Sequence, residues 1–213
     1  CLDIIRYRET DMVLFQSTSS TTSTPHSEAD GPMSGTDYMA HHNLRGSACG
    51  YVFRKAILHD LRFREGTLHE DEEFTPQLML RAENVYSTEG KAYHYRVRKD
   101  SITHKTDKRW RMRRLMDAEQ VIYRLKNKAD HLPVSERIAM ERRIAQLTMD
   151  YIYNVIRMTH DATHLDRVLQ RLTKHDLFPL PDKHYTKKYQ CFRMLVNTAM
   201  GRRILMLALR VKG

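Results

Sequence analysis

The second half of the chain carries the pattern that most restricts its fold, because apolar residues there recur every three or four positions. This spacing puts the apolar side chains on one face of an α-helix. Pro133 interrupts the pattern, and Ser135 can cap a second helix that extends to Met158. The pattern therefore predicts two long amphipathic helices, the first built on Met112, Leu115, Ala118, Ile122, Leu125 and Ala129.

Two further helices are predicted, over 165–172 and 187–211. From residue 183 to the end there are eight Lys or Arg and no Asp or Glu. A basic amphipathic helix can lie in the interface of an anionic membrane. The alternative is that its apolar stripe packs in a helical bundle while the cations remain solvated. Both interpretations stay open for the last helix, whose cations are Arg193, Arg202, Arg203, Arg210 and Lys212.

The first half of the chain is predicted to form short strands and loops with a few short helices. Strands are predicted over 11–15, 51–53, 84–86 and 92–97, and helices over 35–42, 54–61 and 76–83. Residues 16–35 form a long polar connection, which is either a functional loop or plain disorder. The predicted fold class is α/β, or α+β in this chain, with a mixed sheet over 1–104 followed by a mainly helical region over 105–213.

Charge and cysteine content narrow the classes of function. The net charge of +10 favours anionic partners such as nucleic acid, phosphorylated substrates or an anionic membrane surface. Cys1, Cys49 and Cys191 are too few and too scattered for a disulfide framework, and no His/Cys spacing fits a metal site. No apolar run of about 18 residues occurs, so no transmembrane helix is expected. The first residue is Cys and not Met, and we expect the chain to begin inside a longer protein.

Four consecutive carboxylates follow His69, from Glu70 to Glu73. Because they repel one another, at least one should have a raised pKa unless a cation or a helix N-terminus offsets the repulsion. Thr75 is the predicted N-cap of the next helix, and Pro76 fits its first turn. A carboxylate in such a position can be tuned as a general base. The alternative is an acidic, solvated helix start.

Several short motifs follow one another between residues 49 and 102. They are Cys49-Gly-Tyr-Val-Phe-Arg-Lys55, Leu61-Arg-Phe63, Glu65-Gly66, His69-Glu-Asp71 with Phe74, and Tyr93-His-Tyr95-Arg96-Val-Arg98-Lys-Asp-Ser101-Ile102. Their order resembles the second half of family 2 glycosyltransferases of the GT-A fold, over roughly residues 1–104. The resemblance implies inverting transfer of a sugar from a nucleotide diphosphate to an acceptor hydroxyl. It further implies that Asp71 takes the acceptor proton and that Glu70 positions Asp71 or the acceptor.

Charge on the departing diphosphate must be offset by a divalent metal, Mn or Mg, or by basic side chains. The segment that could close over the diphosphate carries Arg96, Arg98, Ser101 and His104, and Cys49 is a further candidate for substrate binding. A solvated basic strand edge is the alternative for this segment. The family's first half, with its Asp-x-Asp metal motif, is absent, so no metal ligand is expected in this chain.

The partners implied are a nucleotide-diphosphate sugar and a glycan or glycolipid acceptor, in polysaccharide or glycolipid biosynthesis. The expected location is cytoplasmic, with peripheral contact to the inner face of the cell membrane through the last helix. Two alternatives remain: a basic helical nucleic-acid-binding module that uses Trp110, and a membrane-associated scaffold without catalysis. Nucleic acid is the weaker candidate, because no helix-turn-helix, zinc-finger or RNA-stacking motif occurs.

The resemblance predicts that this chain alone is inactive, since the donor-binding half is missing. With a nucleotide sugar, manganese and a glycan acceptor, we expect no release of nucleoside diphosphate above the protein-free rate. A coupled nucleotide-release assay measures this. Turnover by the 213-residue chain would contradict the prediction.

Overall fold

The structure is a computed structural model that describes residues 1–19, 28–96 and 107–210. Within these ranges the fold is α+β, as predicted, with one four-stranded mixed sheet and eight α-helices. The chain divides into two compact units. The first comprises residues 1–106 and 132–140, and the second comprises residues 107–131 and 141–213.

The sheet of the first unit has four strands in the described residues: β1 (Met12–Thr18), β2 (Ala29–Met33), β3 (Tyr51–Phe53) and β4 (Val85–His94). Their order in the sheet is β2-β4-β1-β3. The central strands β1 and β4 are parallel, and each pairs with an antiparallel edge strand, β3 beside β1 and β2 beside β4.

Asp11 aligns the beginnings of the two parallel strands. Its Oδ2 accepts hydrogen bonds from the backbone N–H groups of Glu83 and Asn84, at 3.0 and 3.1 Å. Directly after this anchor, Met12 and Val85 are paired in register, and both are fully buried. The polar anchor thus sets the register at the edge of the core.

Among the described residues, the α-helices that lie wholly within this unit are α1 (Leu2–Tyr7), α2 (Gly35–His41) and α3 (Glu70–Met79). The prediction for α3 was wrong, since the helix begins six residues before Pro76 and Thr75 is not its cap. Thr75 is fully buried, and its hydroxyl donates to the carbonyl oxygen of Gly46 at 2.6 Å. The acidic run is therefore the first turn of the helix, where the helix dipole favours carboxylates.

Strand β4 replaces the two strands predicted at 84–86 and 92–97. It continues through a bulge: between the pairs Leu14–Ser87 and Gln16–Lys91, β1 advances two residues and β4 advances four. The predicted half-buried alternation at its end was also wrong, because Tyr93 is 39% exposed and the neighbouring side chains are exposed as well. The pattern missed β2, which lies within the segment predicted to be a polar connection.

The second unit consists mainly of amphipathic helices. One of them, α5 (Val134–Thr159), begins in a part of the chain that belongs to the first unit. Asp107, Asp161 and Thr186 cap three of them by accepting a backbone N–H with their side chains. None of the helices in the described ranges is both long and apolar enough to cross a membrane. They are α4 (Lys108–Ala129), α5 (Val134–Thr159), α6 (Ala162–Thr173), α7 (Lys187–Val196) and α8 (Ala199–Arg210).

The single helix predicted over 187–211 is broken between α7 and α8. Asn197 binds both backbone groups of Leu180, accepting from its N–H at 3.0 Å and donating to its carbonyl oxygen at 2.9 Å. Thr198 then caps α8 by accepting from the N–H of Gly201 at 3.1 Å. A Cβ at Gly201 would overlap the carbonyl oxygen of Leu195, so only glycine allows this close approach.

A buried carboxylate joins α4, α5 and α6. Glu119 is 6% exposed and accepts hydroxyl hydrogen bonds from Tyr123 at 2.6 Å and from Tyr151 at 2.8 Å. Arg171 donates to both carboxylate oxygens, at 2.7 and 2.8 Å. Burial by itself would raise the pKa of Glu119, but the bonds from Arg171 and the two tyrosines outweigh it and lower the pKa.

Removing one donor from this cluster should destabilise the second unit. We expect Tyr151→Phe to lower the free energy of unfolding by about 2 kcal/mol, because a hydrogen bond to a charged group is lost in the interior. Tyr153→Phe, two positions further along α5, is the matched control and should change stability by less than about 0.5 kcal/mol. Urea denaturation followed by circular dichroism measures both. Equal effects of the two variants would contradict the prediction.

Candidate active site

The acidic first turn of α3 holds the predicted catalytic carboxylates, Glu70 and Asp71, in partly buried positions. His69 precedes the turn with a left-handed backbone, φ 64°, and its side chain makes no capping hydrogen bond. Asp71 instead caps locally, because its Oδ1 accepts from the backbone N–H of Glu72 at 2.9 Å. A left-handed residue other than glycine costs about 1–2 kcal/mol, so the entry into this turn is strained.

The pKa of Asp71 is raised from 3.8 to about 6. Burial is the largest cause, followed by the negative charges of Glu72 and Glu70. Hydrogen bonds from the backbone N–H groups of Glu72 and of Asp71 itself lower the pKa, without cancelling the rise. The expected repulsion within the acidic run therefore acts on Asp71, although the run forms a helix N-terminus.

A buried chain of hydroxyl groups joins α3 to the segment that precedes β3. The hydroxyl oxygen atoms of Tyr51 and Thr75 lie 3.0 Å apart, and the single hydroxyl proton of Thr75 goes to the carbonyl oxygen of Gly46. Tyr51 is consequently the donor to Thr75. A Cβ at Gly46 would meet the carboxylate of Glu72, so any larger residue here would displace the Glu72 side chain where this segment meets the acidic turn.

A cavity of about 630 Å³ lies on the other side of that segment. Its walls are the C-terminal half of β1, the bulge of β4, Tyr38 on α2, Glu28 and Asp30, and residues 42–45, 47 and 49–51. Tyr51 belongs both to this wall and to the hydroxyl chain that ends at Gly46. In open α/β sheets, ligands bind beyond the carboxyl ends of parallel strands, which is the side to which β1 leads here.

Most polar residues of the cavity lining are neutral, and the charged ones are mainly acidic. Glu28, Asp30 and Glu89 contribute carboxylates, and Arg45 contributes a guanidinium group that donates to Gln16 at 2.7 Å. Burial raises the pKa of the Tyr38 hydroxyl, with an opposing effect from Arg45 and a smaller rise from Glu89. The tyrosines of the wall are therefore neutral hydroxyl groups at neutral pH.

The predicted site residues fall into three groups. Cys49 lines the cavity as a partly buried free thiol. Asp71 and Glu70 are not part of the lining, but the charge of Asp71 raises the pKa of Tyr51 on the wall, after the larger effect of burial. Arg96 is exposed beyond the end of β4 and is also not part of the lining. Arg98, Ser101 and His104 lie outside the described residues.

Sequence reasoning missed most of the cavity wall. Tyr38 fell within the helix predicted over 35–42, and Tyr51 within a predicted strand and the motif Cys49–Lys55, but neither was a candidate site residue. Glu28 and Asp30 came from the segment predicted to be a polar connection. The short segment 29–33 contains Gly31 and Pro32, which are unfavourable in strands, so no local pattern indicated that it would border a cavity.

The divalent metal implied by the resemblance finds no matching ligands in the described ranges. No group of three or more His, Cys, Asp or Glu there could hold a metal ion. Comparisons of this chain with protein-family models, with curated proteins and with solved structures found no match. The arrangement of Asp71, Tyr51 and the cavity must therefore be interpreted on its own chemistry.

Removing the charge of Asp71 should stabilise the fold at high pH. Because the pKa of Asp71 is raised in the folded chain, its ionisation opposes folding. The resulting loss in the free energy of unfolding is absent below pH 3.8 and complete once the pH has passed about 6. We expect Asp71→Asn to gain on the order of 1 kcal/mol over the wild type at pH 8, after allowance for solvent screening, and almost nothing at pH 4.

Thermal unfolding at several pH values measures this difference. Asp3→Asn is the matched control, because Asp3 is an exposed carboxylate in the first turn of α1. Its effect should not follow the same pH dependence. A gain at Asp71 that is equal at pH 4 and pH 8 would contradict the assignment of the raised pKa.

Proposed function

We propose that this chain is the acceptor-side part of an inverting glycosyltransferase, with Asp71 as the general base. The observation that carries the proposal is a partly buried carboxylate of pKa about 6, whose charge also acts on Tyr51, a residue in the wall of the cavity. The motif order from Cys49 to Ile102 supports the same reaction, and the mixed sheet with a parallel central pair is compatible with the C-terminal half of a GT-A-like fold.

In the proposed reaction, the acceptor hydroxyl oxygen attacks the anomeric carbon of the donor sugar. The bond from that carbon to the diphosphate breaks with its electron pair, and the configuration at the anomeric carbon inverts. The hydroxyl proton goes to a carboxylate oxygen of Asp71. With a pKa of about 6, Asp71 is mostly ionised at pH 7 and is a stronger base than an ordinary aspartate. Glu70 has the role of positioning Asp71 or the acceptor.

The cavity chemistry favours an acceptor over a donor diphosphate. The carboxylates of Glu28, Asp30 and Glu89 can accept hydrogen bonds from sugar hydroxyl groups and would repel phosphate oxygens. The rings of Tyr38 and Tyr51 offer flat apolar surface beside these groups. A glycan, or the glycan part of a glycolipid, has this combination of hydroxyl groups and apolar ring faces.

The diphosphate side of the proposal rests on the motif resemblance. Arg96, Arg98, Ser101 and His104 are the candidates to contact the departing diphosphate, because guanidinium groups match phosphate oxygens. A divalent metal bound outside this chain would supply the remaining charge. No step of the proposed proton transfer passes through that metal.

The test of Asp71 uses a longer polypeptide in which a nucleotide-binding half precedes Cys1. We expect Asp71→Asn to lower turnover by about 10²–10⁴-fold, because the amide cannot take the acceptor proton. The dissociation constant for the donor should stay within about twofold, since Asp71 acts on the acceptor. Radiolabelled sugar transfer and calorimetric donor binding measure the two quantities.

Glu73→Gln is the matched control, because this carboxylate is in the same helical turn and pairs with Arg64 at 3.5 Å. It should retain most of the activity. Full activity of Asp71→Asn, together with loss in Glu70→Gln or Glu72→Gln, would move the base to one of those neighbours. Full activity in all three variants would exclude the acidic turn from catalysis.

A further inference from the structure

Helix α8 presents an apolar face to solvent. Met200, Ile204 and Leu207 are 73%, 50% and 66% exposed, and their spacing of four and three residues puts them on one face of the helix. Gly201 and Leu205, about a third of a turn away around the helix, are buried. This helix thus has packing contacts on one side and a separate aliphatic stripe on the side that faces water.

Positive charge accompanies this stripe. Arg203 is exposed, three residues after Met200 and four before Leu207, so it borders the same face. Lys183 and Lys187 are also exposed, and the sequence from residue 183 onward contains eight Lys or Arg and no acidic residue. Lys188 and Arg193 already pair with Asp150 and Asp182, at 3.5 and 2.6 Å.

We propose that α8 docks on the surface of an anionic lipid bilayer, independently of the transfer reaction proposed above. Met200, Ile204 and Leu207 enter the boundary between headgroups and acyl chains, while Arg203 contacts lipid phosphate. At 12 residues the helix is shorter than the roughly 20 that a membrane span requires, so it lies in the plane of the interface.

Lipid fits this face better than nucleic acid does. The phosphate groups of a nucleic acid could bind the cations. They provide no apolar surface that Met200, Ile204 and Leu207 could pack against. The helix also has no aromatic side chain on which a base could stack. An anionic bilayer can bind both the cation and the aliphatic stripe of this face, since it is negative at its surface and apolar a few ångströms below.

Vesicle co-sedimentation of the 213-residue chain tests the proposal. We expect binding to phosphatidylcholine vesicles that contain phosphatidylglycerol, and much weaker binding to vesicles of phosphatidylcholine alone. The double variant Ile204→Ser, Leu207→Ser should lower the partition coefficient for anionic vesicles by about tenfold or more. Arg203→Glu should lower it as well, with a smaller salt dependence than the wild type.

Ile138→Ser is the matched control, because Ile138 is 54% exposed, close to the 50% of Ile204, but lies on α5 and not on the proposed face. It should bind vesicles like the wild type, and circular dichroism should show every variant to be folded. Equal binding of the double variant and the wild type would overturn the proposal, as would equal binding to neutral and anionic vesicles.

Two other results would assign the face to a different partner and also overturn the proposal. One is a concentration-dependent dimer, seen by sedimentation without vesicles and lost in the double variant, which would make this face an interface between two copies of the chain. The other is salt-dependent binding to duplex DNA, unaffected by the double variant and unaccompanied by vesicle binding.

Discussion

The parallel pairing of β1 with β4 is the constraint on which the first unit depends. It joins segments that are 72 and 73 positions apart, through Asp11 and the backbone of Glu83 and Asn84. The chain between them adds the two edge strands β2 and β3 before it returns to β4, and α3 with its acidic turn lies on that return path. The bulge between the two strands then opens the space beside which Tyr51 lies. The position of the candidate site is therefore a result of long-range register.

Local pattern predicted the long helices well and the shorter elements less well. The stripe that begins at Met112 repeats over enough turns to specify α4 without help from tertiary contacts. At Thr75 the cap signal was misleading, because a buried hydrogen bond to Gly46 decides the role of that side chain. The break after Val196 depends on Asn197 reaching Leu180, 17 residues away, which no local window contains.

The candidate site was also predictable from the sequence only in part. Repulsion among adjacent carboxylates could be read from the sequence, and the motif order led to Asp71 over its neighbours. Burial selects Asp71 physically, and burial depends on how the segment around Gly46 packs against α3. The cavity was not predictable, because its wall combines residues from β1, β4, α2 and a loop that share no sequence pattern.

The hydroxyl chain from Tyr51 through Thr75 to Gly46 has a fixed direction. The phenol donates its only proton to Thr75, so its oxygen keeps only lone pairs for any further hydrogen bond. Any further partner of that oxygen must therefore be a donor, as an alcohol is. A fully ionised phosphate or carboxylate has no hydrogen to donate. A single buried threonine thus fixes which kind of group the oxygen of Tyr51 can still bind.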